Sequence, residues 1–262
     1  MLFLTPSPPV LPGTVRAMPF SKNDFLLVEY TIKVKETGEL VDTTNAEIAK
    51  KEGKFEADRV YEPILVIVGE GRLIKGFEED IEKNGEVGVE RTVEIPPEKA
   101  YGKRDPRKVR TISARELLRA GITPEVGKVI EYGNSVGVIK SVSGGRVLVD
   151  FNHPLAGRTL VVTYKVVRKL EEPAEKIQYL LHRRLKRAPP EKFRVEIRDG
   201  DRTAVVEIPR EVFLERDLQI AKAIVAEEVY RYIGSIDTIV YQERYQRRRE
   251  EKPREAKEEK QG

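Results

Sequence analysis

Few side chains in this sequence can do covalent chemistry. Its 262 residues contain 2 histidines and no cysteine. Disulfides, thiolate metal ligands and cysteine nucleophiles are therefore excluded, and a zinc site built on histidine and cysteine is not expected. Neither a metal nor a cofactor is called for. His153 stands between Asn152 and Pro154 and reads as a junction residue. His182 precedes Arg183, Arg184 and Arg187 and reads as part of a solvated helix face. What remains is the chemistry of tyrosine hydroxyls, carboxylates and basic groups. The cluster at 183–187 and the triple Arg247-Arg248-Arg249 have the charge to meet nucleic-acid phosphates. Glu250, Glu251, Glu258 and Glu259 dilute the second cluster, so a solvated tail is expected and nucleic acid is not an expected partner. The net charge of +4, from 48 basic and 44 acidic residues, neither demands nor excludes such a partner.

The charged fraction of 35% exceeds the roughly 25% of ordinary soluble domains and reads as thermophile-like. No apolar run approaches the roughly 18 residues of a membrane span. Residues 1–17 are apolar but broken by Pro6, Pro8, Pro9 and Pro12, with no basic stretch ahead of them, which makes a poor signal peptide. A cytoplasmic protein is expected, with residues 1–19 a disordered arm or Met18 the true start.

Three modules follow. In the first, strands are expected at 25–34, 40–43, 64–68 and 91–95, with residues 47–58 a loop or exposed helix. A short helix at 73–83 places Ile74, Phe77 and Ile81 on one face, and Asn84-Gly85 ends it as a C′ glycine would. The second module begins with a strand at 109–112. Ser113 and Glu116 read as a capping box before a helix at 114–120. Strands at 129–132, 136–142 and 146–151 are separated by the turns Gly133-Asn134 and Gly144-Gly145, and a long strand at 159–170 follows. The third module, 171–245, reads α-β-β-α-β. Pro173 opens a helix with Ile177, Leu180, Leu181 and Leu185 on one face, stopped by Pro189-Pro190. Phe193, Val195 and Ile197 alternate as a strand, Asp199-Gly200 is a hairpin turn, and 203–208 is the return strand. A helix at 211–233 capped by Gly234 and a strand at 236–241 complete it, and residues 246–262 read as a disordered charged tail. The fold class is α+β.

The run V-I-V-G-E-G-R-L-I-K-G-F from Val66 to Phe77 and I-P-P-E-K-A-Y-G from Ile95 to Gly102 resemble the FKBP family of peptidyl-prolyl cis/trans isomerases. V-E-Y at Val28 to Tyr30 and V-D-T-T at Val41 to Thr44 add to the match in family order. V-L-V-D-F-N-H-P-L-A-G at Val147 to Gly157 is similar to the end of the insert-in-flap domain of SlyD-type members. The resemblance implies a half-barrel antiparallel sheet around a short helix, built from 20–102 and 153–170. It implies a small β-rich insert at 103–152. For the separate α+β domain at 171–245 it offers only the order and length of long archaeal members.

The implied reaction needs no nucleophile. Rotation about a peptide bond faces a barrier of about 18–20 kcal/mol because resonance must be broken. A catalyst must favour the twisted amide over both planar forms. The twisted amide has lost much of its charge separation, so a dry apolar pocket favours it relatively. The family pattern puts Tyr30, Val41, Ile64, Val66, Leu73, Ile74, Phe77, Ala100, Tyr101, Leu155 and Val162 around that pocket. Phe77 would be its floor, where Trp is common in the family. Asp42 would stand beside it, and the Tyr101 hydroxyl and the Ile74 N–H would hold a bound carbonyl. Val41 and Val162 replace aromatic residues and imply a wider pocket.

For the insert, the resemblance implies binding of unfolded chains containing X-Pro bonds, through Leu117, Leu118, Val129, Ile130, Val136, Val138 and Ile139. The nickel-binding His/Cys-rich tails of SlyD-type members have no counterpart here. The helix at 211–233 and its approach, with Leu214, Leu218, Ile220, Ala221, Ile224, Val225, Val229 and Ile233, carry apolar residues on more than one face. That pattern fits a homodimer surface or a filled monomeric core. Two alternatives stand beside an isomerase with chaperone activity: a client-binding module without catalysis, and a ribosome- or RNA-associated factor.

Overall fold

The computed structural model describes residues 20–198 and 200–246. The expected arm at 1–19, the start at Met18, the tail from 247 onward and Asp199 of the hairpin turn lie outside them. The chain divides into two compact units, Met1–Leu170 and Glu171–Gly262.

The β-branched and aromatic run that opens the first unit forms β1 (Phe25–Val34), followed by β2 (Leu40–Thr43), α1 (Ala46–Lys51), β3 (Ile64–Ile67), α2 (Lys75–Asn84) and β4 (Glu90–Ile95). The next stretch holds β5 (Val109–Ser113), α3 (Ala114–Arg119), β6 (Val129–Tyr132), β7 (Ser135–Ser143) and β8 (Arg146–Asp150), and β9 (Leu160–Leu170) closes the unit. The chain crosses β5–β8 between β4 and β9, yet β4 and β9 pair side by side, with Val93 opposite Val162. The intervening module is thus an insertion into one continuous sheet. That sheet is antiparallel, ordered β2-β1-β9-β4, with β3 on β1.

Alternation with a period of two sends Leu26, Val28, Ile32 and Val34 of β1 and Leu160, Val162, Tyr164 and Val166 of β9 into one core with Phe77 and Ile81 of α2. Gly76 lets α2 approach the sheet: a Cβ there would stand 2.6 Å from Cγ2 of Ile95. Gly85 does not serve as a left-handed helix cap. It has φ −66° and ψ 143°, and its Cβ would collide with the Ile81 carbonyl at 2.5 Å and the Phe20 ring at 2.8 Å. Close approach, and not backbone handedness, demands glycine there.

The insert is a four-stranded sheet ordered β5-β8-β7-β6. Ile112, Leu117, Ile130, Ile139, Val147 and Val149 are its buried core. Leu117, Ile130 and Ile139 therefore face inward, against the expectation that they are exposed, because α3 packs Leu117 onto the sheet. Leu118, Val129 and Val136 do remain outside, at 56%, 63% and 62% exposure. The capping box is not formed. Ser113 makes no side-chain cap, and the Glu116 carboxylate accepts a hydrogen bond from the Tyr132 hydroxyl instead.

The second unit comprises α4 (Pro173–His182), β10 (Arg194–Arg198), β11 (Thr203–Ile208), α5 (Leu218–Tyr232) and β12 (Thr238–Glu243). Its sheet runs β10-β11-β12, with β12 parallel to β11 across the α5 crossover. α4 ends at His182, well before the proline pair, and Leu185 and Ala188 of the following turn are buried as well. His182 is not on a solvated face. It is 5% exposed, with Nδ1 2.8 Å from the Ala188 carbonyl. Arg183 and Arg184 turn inward as well, both onto Glu228 of α5, so the basic cluster is partly spent inside the unit. α5 begins later than expected, after a 3₁₀ turn at Arg210–Val212, and its cap is Ile233, not Gly234. Leu218, Ala221, Val225 and Val229 form its buried face, while Ile220 is exposed. Among the described residues no helix is long and apolar enough to cross a membrane.

Candidate active site

Every apolar residue expected at the site packs into one cluster between the first sheet and α2. Phe77, Val66 and Val162 are buried at its base. Tyr30, Val41, Ile64, Leu73, Ile74, Ala100, Tyr101 and Leu155 are partly buried against them. The difference follows from their elements. Val66 and Val162 lie within paired strands and Phe77 on the inner side of α2, whereas Leu73, Ile74, Ala100, Tyr101 and Leu155 come from loops at the mouth. The ring of Phe77 meets Tyr30 edge-on at 5.8 Å and Tyr164 at 5.1 Å. Such aromatic pairs add about 0.5–1.5 kcal/mol beyond burial.

The polar groups fall into two sets. On one side the Tyr30 hydroxyl donates to Oδ2 of Asp42 at 2.6 Å. Oδ1 of Asp42 accepts from the Thr43 N–H at 2.8 Å and pairs with Nη1 of Arg59 at 2.7 Å. Nη2 of Arg59 donates to the Thr43 carbonyl at 3.0 Å. Burial and the hydrogen bond to Asp42 push the Tyr30 hydroxyl well above its ordinary pKa, so it stays a donor. For Arg59, the pairing with Asp42 outweighs the desolvation that opposes it and raises its pKa. Arg59 escaped the sequence reading because nothing local marks it. It lies seventeen positions beyond Asp42, at the end of a polar stretch, and only the fold brings the two together.

On the other side stands Tyr101. A 3₁₀ turn at Pro97–Lys99 and the left-handed Gly102, with φ 82°, deliver it to the mouth. Its hydroxyl makes no hydrogen bond among the described residues. Its ring stacks on His153, with centroids 4.3 Å apart and planes 3° from parallel. Ile74 precedes α2 with φ −59° and ψ 137°. Its carbonyl accepts from Phe77 and Glu78, while its own N–H has no partner among the described residues. Two donors at the mouth are thus open to a carbonyl oxygen.

Behind the floor, Asp80 accepts from the Tyr164 hydroxyl and the Asn84 amide, both at 2.6 Å, and from Arg91 at 3.4 Å. Burial pushes its pKa up, but these bonds outweigh burial and hold the carboxyl below its usual range. The network locks the Tyr164 ring beside Phe77, and sequence reasoning missed it entirely. A cleft of about 520 Å³ lies beside β1, lined by the charged Glu29, Lys33, Glu90 and Lys165 and also by Tyr30, Tyr61 and Tyr164. The charged groups around it are poor partners for a neutral amide, and of the expected site residues it holds only Tyr30. No group of three or more potential metal ligands occurs among the described residues.

Comparisons with known proteins place the chain among relatives. Residues 18–118 match the family model described as FKBP-type peptidyl-prolyl cis-trans isomerase. Residues 110–155 match FKBP26, IF domain, and residues 173–246 match FKBP26_C-terminal. The short-type peptidyl-prolyl cis-trans isomerase of Methanocaldococcus jannaschii is 42% identical over 154 residues, which span 59% of this chain and 95% of that protein. The FKBP-type 16 kDa peptidyl-prolyl cis-trans isomerase of Escherichia coli K12 is 34% identical over 143 residues, 53% of this chain and 85% of that one. The SlyD isomerase of Helicobacter pylori is 29% identical over 58% of this chain and 75% of its own. A dry aromatic-floored cluster, two open donors and these matches lead to one conclusion: the chain belongs to the FKBP-type peptidyl-prolyl cis-trans isomerases and is an enzyme of that kind.

Proposed function

We propose that this isomerase acts on X-Pro bonds in unfolded or partly folded protein chains, with the insert capturing the chain and the cluster around Phe77 twisting the bond. Proline seats against Phe77, Val66 and Val162, with Tyr30, Val41, Ile64, Leu73, Ala100 and Leu155 closing off water. The Tyr101 hydroxyl and the Ile74 N–H hold a substrate carbonyl. Asp42, steadied by Arg59, fixes the Tyr30 ring and keeps its hydroxyl out of competition for water. In this setting the planar amide loses the solvation that its dipole enjoys outside, and the twisted form loses less. No proton or electron pair leaves either partner.

One observation carries the capture role. The insert exposes Leu118, Val129 and Val136 although its core is complete without them. Tethering such a surface to a catalytic pocket raises the effective concentration of bound chain. The test is refolding of a proline-limited protein by the wild type and by the triple variant Leu118→Ser, Val129→Ser, Val136→Ser. The variant should keep its activity on a short prolyl peptide while its effect on the protein client falls toward background. Equal loss on both substrates would refute capture by the insert. A wild type without activity on any prolyl peptide would leave the non-catalytic binding role.

A further inference from the structure

We infer that His153 is a positioning residue for Tyr101, holding the tyrosine ring in the rotamer that presents its hydroxyl to the substrate carbonyl. The inference rests on the carbonyl-holding role proposed above for Tyr101.

Tyr101 is half-buried at the mouth and its hydroxyl makes no hydrogen bond among the described residues, so the ring needs another restraint. The parallel stack on His153 at 4.3 Å is that restraint. His153 is itself held: its Nδ1 accepts from the Leu155 N–H at 3.2 Å, and its carbonyl accepts from Ala156 at 2.9 Å. Because the Leu155 N–H can only donate, the imidazole carries its proton on Nε2. The two residues are distant in sequence and lie at opposite ends of the insert. Reciprocal hydrogen bonds between Asp105 and Asn152, at 2.9 and 3.0 Å, draw those ends together. Arg104 closes the same junction on Asp150 at 2.6 Å. A tyrosine held this way has little rotamer freedom left to lose when it meets the amide.

The experiment measures kcat/KM on a short prolyl peptide with the full chain. His153→Ala should lower it about 2- to 10-fold, the range expected for losing one aromatic stack, while the melting temperature falls by only a few degrees. His153→Phe, which keeps a ring, should restore most of the loss. His153→Asn, which keeps an acceptor for Leu155 but no ring, should not. Adding His153→Ala to Tyr101→Phe should cost nothing further, since no hydroxyl remains to be positioned. A full-sized additional loss in the Tyr101→Phe background overturns the inference while leaving the role of Tyr101 standing. So does wild-type activity in His153→Ala or His153→Asn. If Tyr101→Phe alone matches the wild type, both the role of Tyr101 and the positioning by His153 are overturned.

Discussion

In the half-barrel, the partly exposed apolar side chains Tyr30, Ile64, Leu73, Ile74 and Leu155 rest on a buried floor of Phe77, Val66 and Val162. In the insert, Leu118, Val129 and Val136 are exposed outside a core that does not use them. The half-barrel frames its apolar surface with fixed polar groups: Asp42 on Tyr30, Arg59 on Asp42, Asp80 on Tyr164. No comparable polar network surrounds the three residues of the insert among the described contacts. On the function proposed above, the framed surface of the half-barrel selects one bond geometry. On the same proposal, the unframed surface of the insert accepts many sequences. The proposed division of specificity from capture can be broken from either side.

The largest effect is expected at the floor. Phe77→Ala removes a fully buried ring that two tyrosines pack against. It should lower the unfolding free energy by about 3–5 kcal/mol, measured by urea denaturation, and peptide activity should fall with it. A loss below about 1 kcal/mol would show that the floor collapses freely, which the close packing argues against.

Leu117→Ala probes the insert's own core and should cost about 2–5 kcal/mol. Because contacts within the insert are largely its own, hydrogen exchange should speed up in β5–β8 more than in β1 and β9. Uniform acceleration across both sheets would mean the two regions unfold as one.

Asp42→Ala leaves the Tyr30 hydroxyl and the Arg59 guanidinium without their shared acceptor. A stability loss of about 1–3 kcal/mol is expected, together with a fall in peptide activity larger than that of Asp42→Asn, which keeps an oxygen for Tyr30.

Asp80 supplies a pH test. Its folded pKa lies below the ordinary carboxylate value. The unfolded chain therefore binds the proton first as pH falls, and the stability that Asp80 contributes is present above the unfolded value and lost below it. Unfolding free energy should decline as pH drops through about 4 and below, and Asp80→Asn should flatten that decline. An unchanged acid limb would remove Asp80 from the account.

The smallest effect on stability is expected at the insert's surface. Val129→Ser with Val136→Ser should shift unfolding by less than about 0.5 kcal/mol per site while reducing the effect on a protein client.

Strand and helix positions in the half-barrel were legible because alternation and the i, i+3, i+7 spacing report burial directly. β1 and β2 fall where the pattern puts them, and the apolar residues read at the site share one cluster. Features set by partners distant in the chain were not legible. Gly85 reads as a helix cap from its neighbours, but its need for glycine comes from the Phe20 ring. Ser113 and Glu116 have the spacing of a capping box, yet Tyr132 takes the carboxylate. His182 and Arg183 look solvated in a basic run, and the turn back through Ala188 and the approach of α5 bury them.

The sequence by itself determined that no thiol or metal chemistry built on cysteine is available, that the chain is α+β, and which apolar residues share the cluster around Phe77. These depend on composition and on periodicity, which are local properties. Only the tertiary structure decided that Arg59 steadies Asp42, that Asp80 locks Tyr164, and that the two ends of the insert meet with His153 lying flat on Tyr101. Each of those contacts joins residues far apart in the chain, and a hydrogen bond or a ring stack leaves no periodic trace in the sequence on either side of it.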